Sequence, residues 1–383
     1  MIDLANIPNK CIVFCFEHHN SLGQVRALGK NGLKPILVVL KDKVHITSKS
    51  KYVNEKYIVK SVEEGYELII NRWGNEEEKP FIFTSDDIIT SFLDKKFNSL
   101  KDKFFFNNCG AEGEITKNMD KSYMFEIASK IGFNVAQTFL WDRKKEIPKF
   151  KYPVITKTRD SLKNNWKGNS HIFNNENELK SFLLNIDDDK IMIQEFIAKK
   201  NELCLQCLSY NNGEDVFVAL GINFKFQLSG KYASYINCFN FNDEKLIEKV
   251  KKIIKYFKYD GVFEIEFLED ENGEYYFLEI NFRNSSWGYA TTMTGMSTTL
   301  GWILSKLEGQ DYRPQIKKAD EGFTAMSEIT DFKTRVLGKQ IKYKDWKKQF
   351  KSCNFTYYYD KEDKAPFRHA IFGKFFKKLL LRK

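Results

Sequence analysis

The strongest constraint on the fold is the alternation of short apolar runs with helical segments over the first hundred residues. Cys11–Phe16 and Pro35–Leu40 are apolar on both faces. A helix is expected between them, from about Ser21 to Asn31, because Ser21 can cap its start and Gly32 can end it. The same order continues with strands at 57–60, 81–84 and 104–106, a helix at 62–73, and a further helix that Ser85 or Asp86 can cap. Strands of this kind predict a parallel sheet covered by helices on two sides.

Residues 1–108 are therefore predicted to form an α/β domain with an incomplete doubly wound sheet. No GxGxxG follows its first strand, so nothing there argues for a dinucleotide. From about residue 109 the pattern changes to a helix at 118–131, an amphipathic helix at 243–258 and a series of antiparallel strands. These strands are predicted at 152–157, 191–196, 202–210, 216–222, 231–238, 261–267 and 275–281.

Composition narrows the class of protein. The 383 residues suffice for two or three domains, and 42% of them are hydrophobic, which indicates a globular chain. There is no run of 18 apolar residues and no pattern of a secretory signal, so a cytoplasmic protein is expected. Seven cysteines without regular spacing favour reduced thiols. The net charge of +10 permits a nucleotide, nucleic acid or membrane surface as partner without choosing among them.

The hairpin at 261–281 carries the clearest chemistry. Glu264 and Glu266 share one face of its first strand, and Glu279 and Asn281 share one face of its second. Carboxylate and amide oxygens in this arrangement suit Mg²⁺ held together with nucleotide phosphates. Arg283 points the same way in extended structure and suits a phosphoryl group that carries developing charge. A solvated strand face with Glu–Arg pairs would give the same pattern.

Together with three upstream motifs, this hairpin resembles the ATP-grasp superfamily over about residues 10–308. Met119–Lys121 resembles the start of the nucleotide-binding half, and Tyr152–Lys157 resembles the strand with a phosphate-contacting lysine. Ile193–Ile197, followed by Glu202, resembles the hinge strand beside the adenine. The resemblance implies an N-terminal doubly wound (pre-ATP-grasp) α/β domain followed by an ATP-grasp fold with antiparallel sheets.

The resemblance also implies a role for each matching residue, with ATP and Mg²⁺ as cofactors. The expected contacts are Lys121, Lys157 and Lys225 with phosphates, Gln194, Glu195 and Ile197 with adenine, Glu202 with ribose, and Glu266, Glu279 and Asn281 with two Mg²⁺ ions. Arg283 would stabilise the transferred phosphoryl group. Glu264 would receive the incoming ammonium or its proton, or would be part of a structural ion pair. The lysines could also be ordinary surface residues.

The implied reaction is that of a carboxylate–amine ligase: ATP converts a carboxylate to an acyl phosphate, and an amine displaces phosphate to form an amide. The implied domains are 1–108, 109–308 (divided into 109–200 and 201–308) and a C-terminal extension at 309–383. One departure concerns the loop over the phosphates at 158–170, which has one glycine where the family usually has several.

The chain most resembles stand-alone ligases related to carbamoyl phosphate synthase and D-aspartate ligase, which implies a cell-wall or surface-polysaccharide precursor as substrate. The basic apolar stripe at 367–383 predicts a helix that lies on the inner membrane surface near a lipid-linked carboxylate, or that docks on the protein itself. A homodimer is a further expectation. The alternatives are a non-catalytic ATP-binding regulatory or scaffolding protein and, from the net charge alone, a nucleic-acid binder.

Three smaller features remain. His18 and His19 follow the first strand, at the edge of the sheet where ligands bind, and are candidates for a substrate site. Trp287 and Tyr289 could stack on a substrate or belong to the core. Cys204 and Cys207 form a CxxC, but residues three apart on a strand face opposite ways, which argues against zinc.

Overall fold

The structure is a computed structural model that describes residues 6–42, 45–142, 146–157, 170–185, 190–226, 233–307 and 319–371. Within these ranges the strands form three sheets, of five, four and seven strands. The mixed α/β architecture, with a parallel five-stranded sheet, an antiparallel four-stranded sheet and a seven-stranded sheet that is antiparallel except for its last pair of strands, confirms the predicted fold class.

The five-stranded sheet is parallel throughout and has the order β3-β2-β1-β4-β5. Its strands are β1 (Cys11–Cys15), β2 (Ile36–Leu40), β3 (Glu55–Val59), β4 (Phe81–Thr84) and β5 (Phe105–Phe106). Its helices are α1 (His19–Gly29), α2 (Val62–Trp73), α3 (Asp87–Asp94) and α4 (Phe97–Leu100). Because β2 lies on one side of β1 and β4 on the other, the carboxyl ends of β1 and β4 flank the crevice where such sheets bind ligands.

Both faces of this sheet are buried, as its apolar strands predict. Ile12 and Phe14 pack on the side of α2, whereas Val13 and Cys15 pack on the opposite side. The second side is covered by α1 and by α10 (Thr298–Leu307). The N-terminal unit is therefore packed directly against an element from the middle of the chain.

Side-chain caps decide where the helices begin. Asp86 caps α3 as predicted, because its Oδ1 accepts the N–H of Ile88 at 2.8 Å. The prediction that Ser21 caps α1 is wrong: His18 is the cap, and its Nδ1 accepts the N–H of Asn20 at 3.3 Å. The Ser21 hydroxyl instead donates to the carbonyl of Phe16.

The four-stranded sheet has the order β6-β9-β7-β8 and is antiparallel. Its strands are β6 (Thr138–Asp142), β7 (Val154–Lys157), β8 (His171–Phe173) and β9 (Lys190–Glu195), with helix α7 (Glu176–Leu184) on one face. The helix predicted at 118–131 is α6 (Lys121–Ile131), which begins three residues later than predicted and follows a separate short helix, α5 (Glu114–Asn118). The break has a local cause, because the Asp120 side chain caps the second helix by accepting the N–H of Tyr123.

The seven-stranded sheet has the order β14-β13-β10-β11-β12-β15-β16. Its strands are β10 (Lys199–Tyr210), β11 (Asp215–Phe224), β12 (Tyr235–Phe239), β13 (Gly261–Asp270), β14 (Tyr275–Asn281), β15 (Phe323–Met326) and β16 (Phe355–Thr356). Its remaining helices are α8 (Glu244–Phe257), α9 (Tyr289–Met293), α11 (Glu328–Asp331) and α12 (Tyr343–Ser352), with a π-helical turn at Phe332–Leu337. α6 and α8 cover one face, and α9 lies on the other.

Strands β15 and β16, from the predicted C-terminal extension, complete this sheet. The domain boundaries proposed from the sequence stay a prediction. Of the predicted helix at 367–383, residues 372–383 lie outside the described part of the chain. Among the residues that the structure describes, no helix has the length and apolar character needed to cross a membrane.

A buried ion pair ties the end of the described chain to α1. Arg26 Nε donates to Asp363 Oδ2 at 2.9 Å, and both side chains are at most 1% exposed. The same guanidinium donates to the carbonyls of Tyr357 and Tyr358, and Asp363 also accepts the Ser50 hydroxyl. Every charged atom of the pair thus has a partner, which is the condition for tolerating charges in a core.

Replacing Asp363 by alanine should lower the free energy of unfolding by roughly 3–5 kcal/mol, because Arg26 would remain buried without its counter-charge. The matched control is Glu362→Ala, since Glu362 pairs with Lys30 at the surface and its loss should change little. Urea denaturation of both variants measures the difference. Equal stabilities of the two variants would contradict this account of the ion pair.

Candidate active site

The β13–β14 hairpin places the predicted metal ligands opposite one another. Glu266 pairs with Glu279 across the two strands, and Glu264 pairs with Asn281. A bulge follows Glu266. The turn at 271–274 lets Gly273 adopt a φ of 82°, which suits glycine. Glu264 and Glu266 share a face of their strand, and Glu279 and Asn281 share a face of theirs, as predicted; the register brings the two pairs to the same face of the hairpin.

Asn281 and Arg283 connect this face to the parallel sheet. Asn281 Nδ2 donates to Glu266 Oε1 at 2.8 Å and to Glu264 Oε1 at 3.2 Å, while its Oδ1 accepts Arg283 Nη2 at 2.9 Å. Arg283 also donates to both oxygens of Asp87, at 2.8 and 3.1 Å. Although burial opposes it, the Asp87 carboxylate raises the pKa of Arg283 above its usual value, so the guanidinium stays charged.

The carboxylates are crowded enough to favour a cation. Burial, followed by the charges of Glu264 and Glu279, raises the pKa of Glu266 well above its ordinary value. The donor atoms are hard oxygens, which fit Mg²⁺. If Asn281 is to share a cation with Glu266, its amide must turn so that the oxygen replaces the nitrogen.

A buried network holds Glu264 behind this ligand set. Glu264 is 3% exposed, and burial raises its pKa. Its Oε2 accepts the Gln206 amide and lies 2.9 Å from the Ser285 hydroxyl, and that hydroxyl is 2.8 Å from Gln206 Oε1. Neutral donors, rather than a lysine or arginine side chain, thus contact this carboxylate in the described part of the chain. These contacts do not support the ion-pair interpretation.

Two lysines reach the same site from separate elements. Lys121, at the start of α6, lies with Nζ 3.3 Å from Glu279 Oε2, and this carboxylate raises its pKa. Lys157, at the end of β7, donates to Gln194 Oε1 at 2.8 Å. Burial and the charge of Lys121 lower the pKa of Lys157 to about 8. Two lysine side chains near a single carboxylate, that of Glu279, create a position that favours the binding of polyanionic phosphates.

The residues expected around adenine and ribose lie on the next segment. Gln194 is buried on β9 and donates to the Thr138 hydroxyl at 2.9 Å, which fixes its amide beside Lys157. Glu195 ends β9, and Ile197 is half-buried in the link to β10. Glu202, on β10, accepts Lys199 Nζ at 2.5 Å, and its charge acts on Lys157. The structure thus places this segment beside Lys157.

Lys225 is not drawn into this cluster. It follows β11, its side chain is exposed, and its main-chain N–H donates to the carbonyl of Tyr235 on the neighbouring strand. Its role as a phosphate contact stays a prediction. The loop predicted to cover the phosphates, at 158–170, lies outside the described residues except for Ser170.

Two contributors to the site escaped sequence reasoning as functional residues: Asp87 and Gln206. Asp87 follows β4 at the carboxyl edge of the parallel sheet, a position that could have identified it. Gln206 is a polar side chain within apolar surroundings and had no periodic signal. Asn20 and Asn284 also join the α/β unit to the segment that follows the hairpin. Asn284 Nδ2 donates to Asn20 Oδ1 at 2.6 Å, and Asn20 Nδ2 donates to the Asn284 carbonyl at 2.9 Å.

The smaller sequence features are resolved as follows. His18 lies beside this site, and the charge of Arg283 acts on its ring. Trp287 and Tyr289 belong to the core, with exposures of 7% and 3%. Cys204 and Cys207 pack in different clusters, on opposite faces of the sheet. The Cys204 thiol lies with the carboxylates of Glu264 and Glu266 in a group of possible ligand atoms within 4.8 Å of one another.

Comparison with sequence families agrees with this geometry. Residues 120–300 match the model of the carbamoyl-phosphate synthase L chain, ATP binding domain. That range contains both lysines and the whole hairpin. No curated protein matches the chain in sequence.

Solved structures share the fold over most of the chain. N5-carboxyaminoimidazole synthetase from Staphylococcus aureus is 19% identical, with a TM-score of 0.65 over 86% of each chain. L-amino acid ligase from Bacillus licheniformis is 14% identical, with a TM-score of 0.60 over 81% of this chain and 78% of the ligase. Biotin carboxylase from Campylobacter jejuni is 20% identical, with a TM-score of 0.62 over 81% and 73%. At such identities the likeness shows a common fold.

Binding of ATP at about pH 8 should take up protons, because Lys157 is partly neutral there and phosphates favour its ammonium form. ATP affinity should correspondingly fall as the pH rises above 8. Calorimetry in buffers of different ionisation enthalpy measures the uptake, which Lys157→Met should remove. Lys200→Met, a change at an exposed pair with Glu269, is the control. Undiminished uptake in Lys157→Met would refute the assignment.

Proposed function

We propose that the chain, which has the ATP-grasp fold, is an ATP-dependent carboxylate–amine ligase. The premise is that residues 120–300 match an ATP-binding domain of the carbamoyl-phosphate synthase L chain type. The observation that carries the proposal is the clustering of Lys121, Glu266, Glu279 and Arg283 through direct and neighbouring contacts. Basic groups beside paired carboxylates suit phosphoryl transfer, in which the protein mainly positions reactants and offsets charge.

ATP would lie between the four-stranded sheet and the seven-stranded sheet. Lys121 and Lys157 would contact its phosphates, and Glu202 would accept hydrogen bonds from the ribose. Gln194, Glu195 and Ile197 would border the adenine. The support is their placement along one edge, because Lys157 contacts Gln194 directly and senses the charges of Lys121, Glu279 and Glu202.

Glu266, Glu279 and Asn281 would hold Mg²⁺, with the Asn281 amide turned from the orientation in which its Nδ2 donates to Glu264 and Glu266. Mg²⁺ bound there shields the charge of the phosphates and fixes their orientation. Lys121, with its Nζ 3.3 Å from Glu279, would also neutralise part of the charge of the ligand set, while the Asn281 amide donates a hydrogen bond to Glu266. Glu264 contacts neutral donors and is almost fully buried, which favours a positioning role for it. That it receives the ammonium or its proton stays a prediction.

The proposed reaction has two steps. A carboxylate oxygen of the first substrate attacks the γ-phosphorus of ATP, the bond to the bridging oxygen breaks, and ADP leaves. An amine nitrogen then attacks the carbonyl carbon of the acyl phosphate, phosphate leaves, and the nitrogen loses a proton to give the amide. Arg283, which Asp87 keeps charged and oriented, would stabilise the phosphoryl oxygens in the first step.

We further infer that the carboxylate belongs to a cell-wall or surface-polysaccharide precursor, free or linked to a nucleotide or lipid. The support is the sequence resemblance to D-aspartate ligase-type chains. A screen for ADP release from ATP in the presence of Mg²⁺ tests both the ligase reaction and the class of its carboxylate. The pools contain uronic-acid nucleotides, muropeptide precursors, amino acids and small amines. ADP that appears only with a carboxylate and an amine together would establish the ligase. Tight ATP binding without ADP release under any pairing would favour a non-catalytic ATP-binding protein.

Glu279→Gln should abolish this ADP release while the fold persists, because the substitution removes a charge from the ligand set and leaves its shape almost unchanged. The control is Glu271→Gln, which changes an exposed residue in the turn of the same hairpin and should retain full activity. Circular dichroism would verify both folds. A Glu279→Gln protein that remained active with Mg²⁺ would overturn the site assignment.

A further inference from the structure

A thiol lies directly beside the proposed Mg²⁺ ligands and has no part in the proposed reaction. Cys204, on β10, pairs with Glu266 on β13, and Glu266 in turn pairs with Glu279 on β14. Residues that lie opposite one another on neighbouring strands point to the same face of a sheet. Cys204 therefore shares the face of the hairpin ligands, and Glu266 is its immediate neighbour among them.

Three side chains converge here closely enough to share one cation. The Cys204 thiol and one carboxylate oxygen each from Glu264 and Glu266 all lie within 4.8 Å of one another. Among the residues that the structure describes, this is the group of metal-ligating side chains that meets such a distance. Zn²⁺ binds sulfur at about 2.3 Å and carboxylate oxygen at about 2.0–2.2 Å, so small side-chain rotations would bring all three atoms onto one ion.

The thiol itself gives independent evidence of a missing ligand. Cys204 is 2% exposed, and its sulfur makes no hydrogen bond with a described residue. Cys207, three residues further along the same strand, instead donates to the carbonyl of Leu205 at 3.5 Å. Buried polar atoms usually have a partner, so an unpartnered thiol next to two carboxylates indicates that a group is missing between them.

The charge around the sulfur favours a cation as the missing group. Burial raises the pKa of Cys204 well above its ordinary value, and four carboxylates act in the same direction: Glu264, Glu266, Glu202 and Glu279. Without a cation, the thiol therefore keeps its proton. A soft divalent ion reverses this preference, because it deprotonates a coordinating thiol and supplies the positive charge that the carboxylates attract.

The mixture of sulfur and oxygen selects the kind of cation. Mg²⁺ prefers hard oxygen ligands, so the thiol adds nothing to the proposed Mg²⁺ site. Thiolate ligands instead favour Zn²⁺ and similar soft ions. The CxxC pattern does not form this site, because Cys204 and Cys207 pack on opposite faces of the sheet. Two carboxylates take the place of the second cysteine.

We propose that Cys204, Glu264 and Glu266 bind a thiophilic divalent cation such as Zn²⁺, and that this cation inhibits the protein. Glu266 belongs to both sets of ligands, so a cation held by the thiol removes Glu266 from the Mg²⁺ site. The three side chains leave one tetrahedral position, which water can fill. The inhibition rests on the proposed ligase function, whereas the binding of the cation does not.

The binding test uses Cd²⁺ as the probe, because a Cd²⁺–thiolate bond absorbs in the ultraviolet and can be followed without turnover. The full chain is titrated in the absence of Mg²⁺ and ATP, and we expect the absorption to saturate at a single equivalent. Cys204→Ser should abolish the absorption. The matched control is Cys207→Ser, which changes an equally buried thiol on the opposite face and should retain it. Circular dichroism verifies that both variants are folded.

Two further measurements test the carboxylates and the inhibition. Glu266→Gln leaves the thiol in place and removes a charged ligand, so it should weaken Cd²⁺ binding at least about tenfold. Glu271→Gln, in the exposed turn of the same hairpin, should bind Cd²⁺ as the unchanged chain does. In the ADP-release assay with Mg²⁺, Cys204→Ser should keep its activity and require about tenfold more Zn²⁺ for equal inhibition.

Three results would overturn the proposal. Absence of the Cd²⁺ absorption from the unchanged chain would exclude a thiolate site, and its persistence in Cys204→Ser would assign it to another of the seven cysteines. Equal Zn²⁺ sensitivity of the unchanged chain and Cys204→Ser would place the inhibition elsewhere. An absorption that depends on Cys204, together with no ADP release in the substrate screen, would refute the ligase function and leave the cation site standing.

Discussion

The ion pair between Arg283 and Asp87 joins the two halves of the site. Asp87 stands at the carboxyl edge of the parallel sheet, and Arg283 follows the strand that carries Glu279 and Asn281. A two-pronged guanidinium–carboxylate contact fixes both distance and orientation, so the crevice beside β1 and β4 is held against the hairpin. Asn20 and Asn284 repeat the connection with neutral groups. The α/β unit, which also packs against α10 and is tied to Asp363 through Arg26, thereby contributes Asp87 to the site.

The chemistry of the cleft follows from crowding charges in a partly buried space. Three glutamates on one hairpin repel each other, and burial adds to the cost of their ionisation. Lys121, Asn281 and Arg283 offset part of that cost, while Gln206 and Ser285 hold Glu264 in place. This arrangement of charged groups favours the binding of a divalent cation and phosphates before either ligand is bound. That preference is the physical basis of the proposed phosphoryl transfer.

Much of this arrangement could be predicted because its signals are local. The period-two pattern of 261–281 placed four side chains on one face, and apolar strands in the first hundred residues predicted the parallel sheet. Asp87 and Gln206 were missed because their importance depends on contacts between residues far apart in the chain. Strand β16 has two residues, too few to show an alternating pattern in the sequence, and it forms only when the folded chain brings it beside its neighbour. The cap of α1 was misplaced because a histidine, an uncommon cap, supplied the acceptor.

The most direct test of the central claim follows oxygen from the carboxylate. The ADP-releasing carboxylate and amine pair from the screen is repeated with the carboxylate labelled with ¹⁸O, and the phosphate released is analysed by mass spectrometry. Formation of an acyl phosphate transfers one labelled oxygen to each phosphate, because the attacking oxygen leaves with phosphorus when the amine displaces it. We predict labelled phosphate in equal amount to ADP. Unlabelled phosphate would mean that water, and not the carboxylate, attacks ATP, and it would contradict the proposed ligase mechanism.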